Sequence, residues 1–274
     1  VDYPNARRIN KKPMPSSGGL AIVIAFSVAT LVFMPMIVQA TFHGKSYFDY
    51  IWPVVLGGGI IALTGLIDDV KELKPLAKMS GIVLAASLIW LLTDFRLNHF
   101  KIPLGGTLLH FAPWLSFILT VIWIISITNA VNLIDGLDGL VSGVSIISLV
   151  TMGIVSYFFL PDHNVFLTLT IFVLVMSIAG FFPYNYHPAI IYLGDTGALF
   201  IGFMIAVLSL QGLKNATAVA VITPMIILGV PITDTFLAIV RRTLSGQKFY
   251  TPDKRHLHHR LLSLGLTHRG TVLV

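Results

Sequence analysis

The run "VFLTLTIFVLVMSIAGFF", residues 165–182, carries 18 residues without one charged side chain. A helix of about 20 apolar residues is long enough to cross the hydrocarbon core of a bilayer. The run lacks the alternation of period two that marks a strand of a membrane barrel. What decides the fold is whether this stretch stands alone or has company.

Seven more apolar stretches surround it: 20–38, 51–67, 79–92, 114–127, 140–159, 197–210 and 216–240. The chain has 274 residues, 55% hydrophobic and 11% charged, with a mean hydropathy of +0.86. Soluble domains carry about 25% charged residues. Because the deficit runs along the whole chain, it favours a polytopic membrane protein over one large soluble core. Stretches 79–92 and 197–210 are short for a span. They are read as spans because omitting either one inverts the sidedness of everything after it. The expectation is all-α: a polytopic helical bundle with eight spans, forming one transmembrane domain over residues 1–274. No internal repeat or low-complexity tract appears. The absence of cysteine excludes a disulfide framework and thiolate metal sites. The chain opens at Val1 in a polar segment with no signal-peptide pattern, and reads as a fragment.

With eight spans the loops alternate between two sides. One side holds the N-terminal segment, 68–78, 128–139, 183–196 and the tail from residue 241. The other holds 39–50, 93–113, 160–164 and 211–215. Of the 18 lysines and arginines, 14 fall on the first side, which the positive-inside rule makes cytoplasmic. Moving one helix would scramble this split, so it supports the count as well as the orientation. The net charge of +6 is then a topology signal plus contact with anionic lipid head groups. It calls for no nucleic-acid partner.

The carboxylates share that parity. Asp68, Asp69, Glu72, Asp135, Asp138, Asp195 and Asp253 lie on the cytoplasmic side, and Asp234 lies inside the last stretch. Only Asp49, Asp94 and Asp162 fall on the other side. The positive-inside rule concerns lysine and arginine, not acids, so this second asymmetry points to a site.

"LIDDVKELKPLAK" (66–78) puts Asp68 and Asp69 at a helix end. Neighbours on a helix point about 100° apart, so the two should have different jobs, unless they merely meet water. Lys71, Lys74 and Lys78 follow at three- and four-residue spacing, a basic stripe for a phosphate or for lipid head groups. In "NLIDGLDGL" (132–140), Asn132, Asp135 and Asp138 recur every three residues. They share a helix face or, if the helix breaks at Gly136, still lie close together. A charge in the bilayer costs about 2.5–3.5 kcal/mol on insertion scales, so such residues usually line a functional cavity.

"YLGDTGAL" (192–199) sets Asp195 at the start of a span, as an N-cap or a metal-binding carboxylate, with Asn185 and His187 before it. "PDKRHLHHRLL" (252–262) carries His256, His258, His259 and Arg260, either in a solvated basic loop or as ligands for phosphates or a sugar. A three-histidine zinc site is disfavoured, since consecutive histidines cannot both face one ion from a regular helix. Carboxylates beside lysines, arginines and histidines suggest a divalent cation with a phosphate-rich substrate. Oxygen-only acidic ligands favour magnesium or manganese over zinc.

Together with "DYPNARRINKKPMPSSGG" (2–19) and "PITDTFLAIVRR" (231–242), these motifs stand in the order found in the polyprenyl-phosphate N-acetylhexosamine-1-phosphate transferases. The chain resembles that family over nearly its whole length. Its "HLHHR" form is similar to the branch using UDP-N-acetylglucosamine, which includes enzymes that begin wall teichoic acid linkage units or O-antigen-type polymers. The phospho-MurNAc-pentapeptide transferase branch usually carries three consecutive histidines instead. The resemblance implies transfer of GlcNAc-1-phosphate from UDP-GlcNAc to undecaprenyl phosphate, with release of UMP, at the cytoplasmic face of a bacterial plasma membrane.

It implies magnesium, with manganese as a substitute. It implies Asp195 as the first metal ligand, with Asp68 and Asp69 handling the lipid phosphate as nucleophile-activating base or further ligand. By the same resemblance Asn132, Asp135, Asp138 and Asn185 shape the nucleotide pocket. Lys12 and Lys78 lie near nucleotide or lipid phosphates, with Lys11 and Lys74 as substitutes. His256, His258, His259 and Arg260 bind the sugar or diphosphate. It also leaves a homodimer open, and implies a helix before Asp2 and further spans after Arg269. The competing reading from another class is an ion-coupled secondary transporter, since intramembrane acids also mark ion paths. That reading predicts carboxylates near the midplane, whereas the sequence puts them toward one face.

Overall fold

The computed structural model describes residues 14–41, 44–101, 108–159 and 165–214. Among these residues, seven helices are long and apolar enough to cross a membrane. They are α1 (Gly18–Ile37), α2 (Tyr47–Lys71), α3 (Pro75–Leu92), α4 (Pro113–Leu133), α5 (Leu140–Phe159), α6 (Val165–Asn185) and α7 (Gly194–Lys214). The chain is thus a multi-pass helical membrane protein. Both short stretches, 79–92 and 197–210, lie within full-length helices, α3 and α7. The eighth stretch, 216–240, lies outside the described residues.

Local chemistry sets the helix ends. Ser46 caps α2 reciprocally with Asp49: Asp49 N donates to Ser46 Oγ at 3.1 Å and Ser46 N to Asp49 Oδ2 at 3.2 Å. That accounts for Asp49, one of the three acids outside the common parity. Pro75 and Pro113 open α3 and α4, where a missing N–H costs nothing. Glu72, at φ +47°, closes α2 in the left-handed region. The all-α architecture carries one small addition among the described residues. Within 93–113 the chain forms a short antiparallel hairpin, β1 (His99–Lys101) with β2 (Leu108–His110), and His99 lies opposite His110. Strands of three residues are too short to show a period in the sequence.

The bundle is built around α7. Every residue from 196 to 210 is buried, as expected of a helix that is apolar on all sides and enclosed by others. Its most extensive neighbours are α2 and α4. Small residues permit the approach: a β-carbon at Gly65 of α2 would lie 2.5 Å from Thr196 Cα. The outer helices show large apolar side chains on their free faces, such as Met36 and Ile37 of α1 and Met176 of α6. Some of the polar groups inside pair across helices, Tyr47 with Thr170 at 3.0 Å and Trp123 Nε1 with Ser209 Oγ at 3.1 Å.

Candidate functional site

At one end of the bundle the starts of α1 and α7 are stitched together by backbone. Gly18 N and Gly19 N donate to Tyr192 O and Leu193 O at 3.1 and 2.8 Å, and Tyr192 N donates to Pro15 O at 2.8 Å. Gly194 sits here at φ +73°, a conformation that favours glycine, and a β-carbon on it would collide with Ser16 O at 2.3 Å. The sequence around Asp195 is therefore fixed by a turn that only glycine fits.

Lys78, one turn into α3, is the hub of the polar cluster. Its ammonium lies 2.6 Å from Asp68 Oδ2, 2.8 Å from Asp195 Oδ1 and 3.2 Å from Asn132 Oδ1. Asn132 Nδ2 in turn donates to Asp195 Oδ1 at 2.5 Å. One cation thus gathers side chains from α2, α4 and α7. Asp68 is only 8% exposed, and its other oxygen accepts Leu73 N at 2.7 Å, tying down the α2–α3 turn. Asp195 is 37% exposed at its side chain, so it is the carboxylate of this group that faces open space.

Asp69 points elsewhere. Its carboxylate accepts Asp195 N at 2.8 Å, Thr196 N at 3.0 Å and the Thr196 hydroxyl at 2.6 Å. The adjacent acids serve different neighbours, as the 100° step between them requires.

A second polar group joins the loops beside this cluster. Asp138 Oδ2 accepts from His187 Nδ1 at 2.9 Å, in the arrangement where that nitrogen carries the proton, and from Ala189 N at 3.2 Å. Asn185 accepts from Ser142 Oγ at 2.9 Å and donates to Ile191 O at 3.2 Å. The helix α4 ends at Leu133, so Asp135 and Asp138 lie in the connecting turn and do not share a helix face with Asn132. The carboxyl pKa of Asp135 is pushed up to about 8, first by surrounding protein and then by the charges of Asp195, Asp69 and Asp138. Asp135 as a residue is exposed, so solvent moderates the burial. The crowding of carboxylates is the firmer cause.

Of the expected site residues, Asp68, Lys78, Asn132 and Asp195 meet in one network, with Asp69 behind it and Asp135 nearby. In the second polar group Asp138 pairs with His187 and Ala189, and Asn185 with Ser142 and Ile191. Lys12, His256, His258, His259 and Arg260 lie outside the described residues. The expected basic stripe breaks up, because α2 stops at Lys71 and α3 starts at Pro75. Lys71 and Lys74 are exposed while Lys78 turns inward. Thr196 and Ser142 escaped the sequence reading. Thr196 stands inside the "GDTG" turn, which was the available signal; Ser142 offered none.

Among the described residues no three acids or histidines form a ready-made metal cage. The donor chemistry nonetheless fits a hard divalent cation at Asp195: an oxygen ligand, partly open, beside further carboxylates. Asp68 fits less well, since both of its oxygens are engaged.

Residues 51–213 match the glycosyl transferase family 4. The chain is 40% identical, over its whole length and 73% of the relative, to a protein of Bacillus subtilis named probable undecaprenyl-phosphate N-acetylglucosaminyl 1-phosphate transferase. It is 37% identical to a decaprenyl-phosphate N-acetylglucosaminephosphotransferase of Mycolicibacterium smegmatis, again over the whole chain and 71% of the relative. A Salmonella typhi undecaprenyl-phosphate alpha-N-acetylglucosaminyl 1-phosphate transferase is 26% identical over 98% of the chain and 71% of its own length. The chain belongs to glycosyl transferase family 4.

Proposed function

We propose that this protein transfers GlcNAc-1-phosphate from UDP-GlcNAc to undecaprenyl phosphate, releasing UMP and forming undecaprenyl-diphospho-GlcNAc, the first membrane step of a cell-envelope polymer. The names of its relatives support the donor and acceptor. The observation that carries the reading is Lys78, a cation clamped by Asp68, Asp195 and Asn132 at one end of an apolar bundle. A membrane-bound lipid phosphate and a soluble nucleotide can meet at such a place.

The site is read as cytoplasmic, in a bacterial plasma membrane, within one catalytic domain over residues 1–274 that has 216–240 as an eighth span. Asn132, Asp135, Asp138 and Asn185 would line the nucleotide side. Lys12, Lys78, His256, His258, His259 and Arg260 would serve phosphates and sugar.

An ionised lipid phosphate is already a nucleophile. One of its oxygens forms the new bond to the sugar-bearing phosphorus, and UMP leaves with the electrons of the broken P–O bond. A magnesium ion held by Asp195, or manganese in its place, supplies charge neutralisation to the pyrophosphate when bound. Lys78 carries a fixed positive charge beside that position. Its ammonium is oriented before substrate arrives, which is how such charges contribute most.

The test uses the full chain in detergent with undecaprenyl phosphate, magnesium and labelled UDP-GlcNAc. UMP and a GlcNAc-diphospho-lipid should appear together. Turnover of UDP-MurNAc-pentapeptide alone would overturn the donor assignment.

A further inference from the structure

The mechanism leaves Asp69 without a chemical task, although it adjoins Asp68 and lies against Asp195. Its surroundings define one. The first amides of a helix have no partner within it, and a negative charge there is favoured by the helix dipole. Asp195, the acid in the first turn of α7, turns its own carboxylate to Lys78 and Asn132. The carboxylate comes instead from α2, where Asp69 takes Asp195 N at 2.8 Å, Thr196 N at 3.0 Å and the Thr196 hydroxyl at 2.6 Å. Gly194 leaves room for it: a β-carbon there would stand 2.9 Å from Asp69 Oδ2. We infer that Asp69 is a positioning residue, a cap supplied from α2 that holds the first turn of α7 so that the Asp195 side chain meets Lys78 and Asn132.

A general base needs a lone pair aimed at the proton it removes. Three donors from α7 engage both oxygens of this carboxylate and take about three of its four lone-pair sites, which sets its orientation toward α7. The role therefore passes through Asp195, and Asp69 touches no reacting atom. This rests on the reading of Asp195 as the residue at the reaction centre, but one arm of the test does not depend on activity.

That arm is hydrogen exchange followed by mass spectrometry on peptides covering 192–198, for the full chain in detergent. Loss of an N-cap to alanine costs about 1 kcal/mol, so Asp69→Ala should speed exchange there about fivefold. The second arm is kinetic. Thr196→Val, which keeps the Asp69 carboxylate intact, should lower kcat about ten- to a hundredfold with the substrate KM values little changed, since small misplacements carry such penalties. Gly194→Ala should behave alike. Full activity in Thr196→Val together with an inactive Asp69→Asn would overturn the inference and return Asp69 to the chemistry. Unchanged exchange at 192–198 in a folded Asp69→Ala variant would overturn it too. If Asp69→Asn does not fold, Thr196→Val decides alone.

Discussion

Lys78 and Asp195, 117 positions apart in the chain, lie 2.8 Å apart across α3 and α7. The lysine ammonium also reaches Asp68 at 2.6 Å, so it separates two carboxylates that would otherwise face each other. Replacing it with methionine leaves both acids without their counter-charge. Removing one partner of a buried pair is strongly destabilising. Asp195 is a third open to solvent, so the loss in Lys78→Met should be about 2–3 kcal/mol, read as a lower thermal midpoint in detergent. Magnesium should then raise the midpoint of the variant more than that of the wild type. An equal rise in both would count against the acids sharing one cation site.

Asp135 gives the expected pH dependence. Its folded pKa is raised, to about 8. A carboxyl raised in this way contributes stability that is fully present below its unfolded pKa of about 4 and is lost as pH rises through its folded pKa. Thermal midpoints of the metal-free protein should therefore fall between about pH 5 and pH 9 by more in the wild type than in Asp135→Asn. Parallel curves for the two proteins would show that Asp135 titrates normally.

The Asp138–His187 contact ties the turn after α4 to the loop before α7. If Asp138 shapes the nucleotide side through that loop, His187→Ala should reproduce Asp138→Asn. Each should raise the KM for UDP-GlcNAc several-fold, on the order of the 1 kcal/mol of one hydrogen bond, with kcat nearly unchanged. A KM effect confined to Asp138 would show direct contact with the nucleotide.

Two glycines of α2 provide a packing test. A β-carbon at Gly65 would meet the backbone of Thr196 at 2.5 Å, whereas at Gly59 it would meet nothing within 4 Å. Gly65→Ala should cost about 1–3 kcal/mol by overpacking, and Gly59→Ala should be neutral or stabilising by up to about 1 kcal/mol through helix propensity. Unfolding midpoints of the two variants, measured side by side, check this. Equal values would mean that α2 and α7 do not approach at Gly65.

The helices were legible because apolar length is a local property: 165–182 and its neighbours needed only a count of residues. The polar end of the bundle was legible because charge parity along the chain survives without knowing any contact. Partners were not. Nothing near Asp69 in the sequence indicates that its carboxylate caps a helix starting at Gly194. The basic stripe failed for a local reason that the sequence did contain. Pro75 begins a new helix, so the spacing between Lys71 and Lys78 does not run along one axis. The spacing in "NLIDGLDGL" allowed a shared helix face or a helix broken at Gly136; α4 ends earlier still, at Leu133, before either aspartate is reached.

The most direct measurement is UMP release from UDP-GlcNAc and undecaprenyl phosphate by the full chain in detergent, wild type against Asp195→Ala, with helical circular dichroism as the check on folding. Asp195 is the open carboxylate of the cluster and the residue that Lys78, Asn132 and Asp69 all hold in place. Its removal should lower turnover by about a thousandfold or more, the scale expected when the charge-stabilising centre of a phosphoryl transfer is lost. Near-normal UMP release from a folded Asp195→Ala variant would contradict the account.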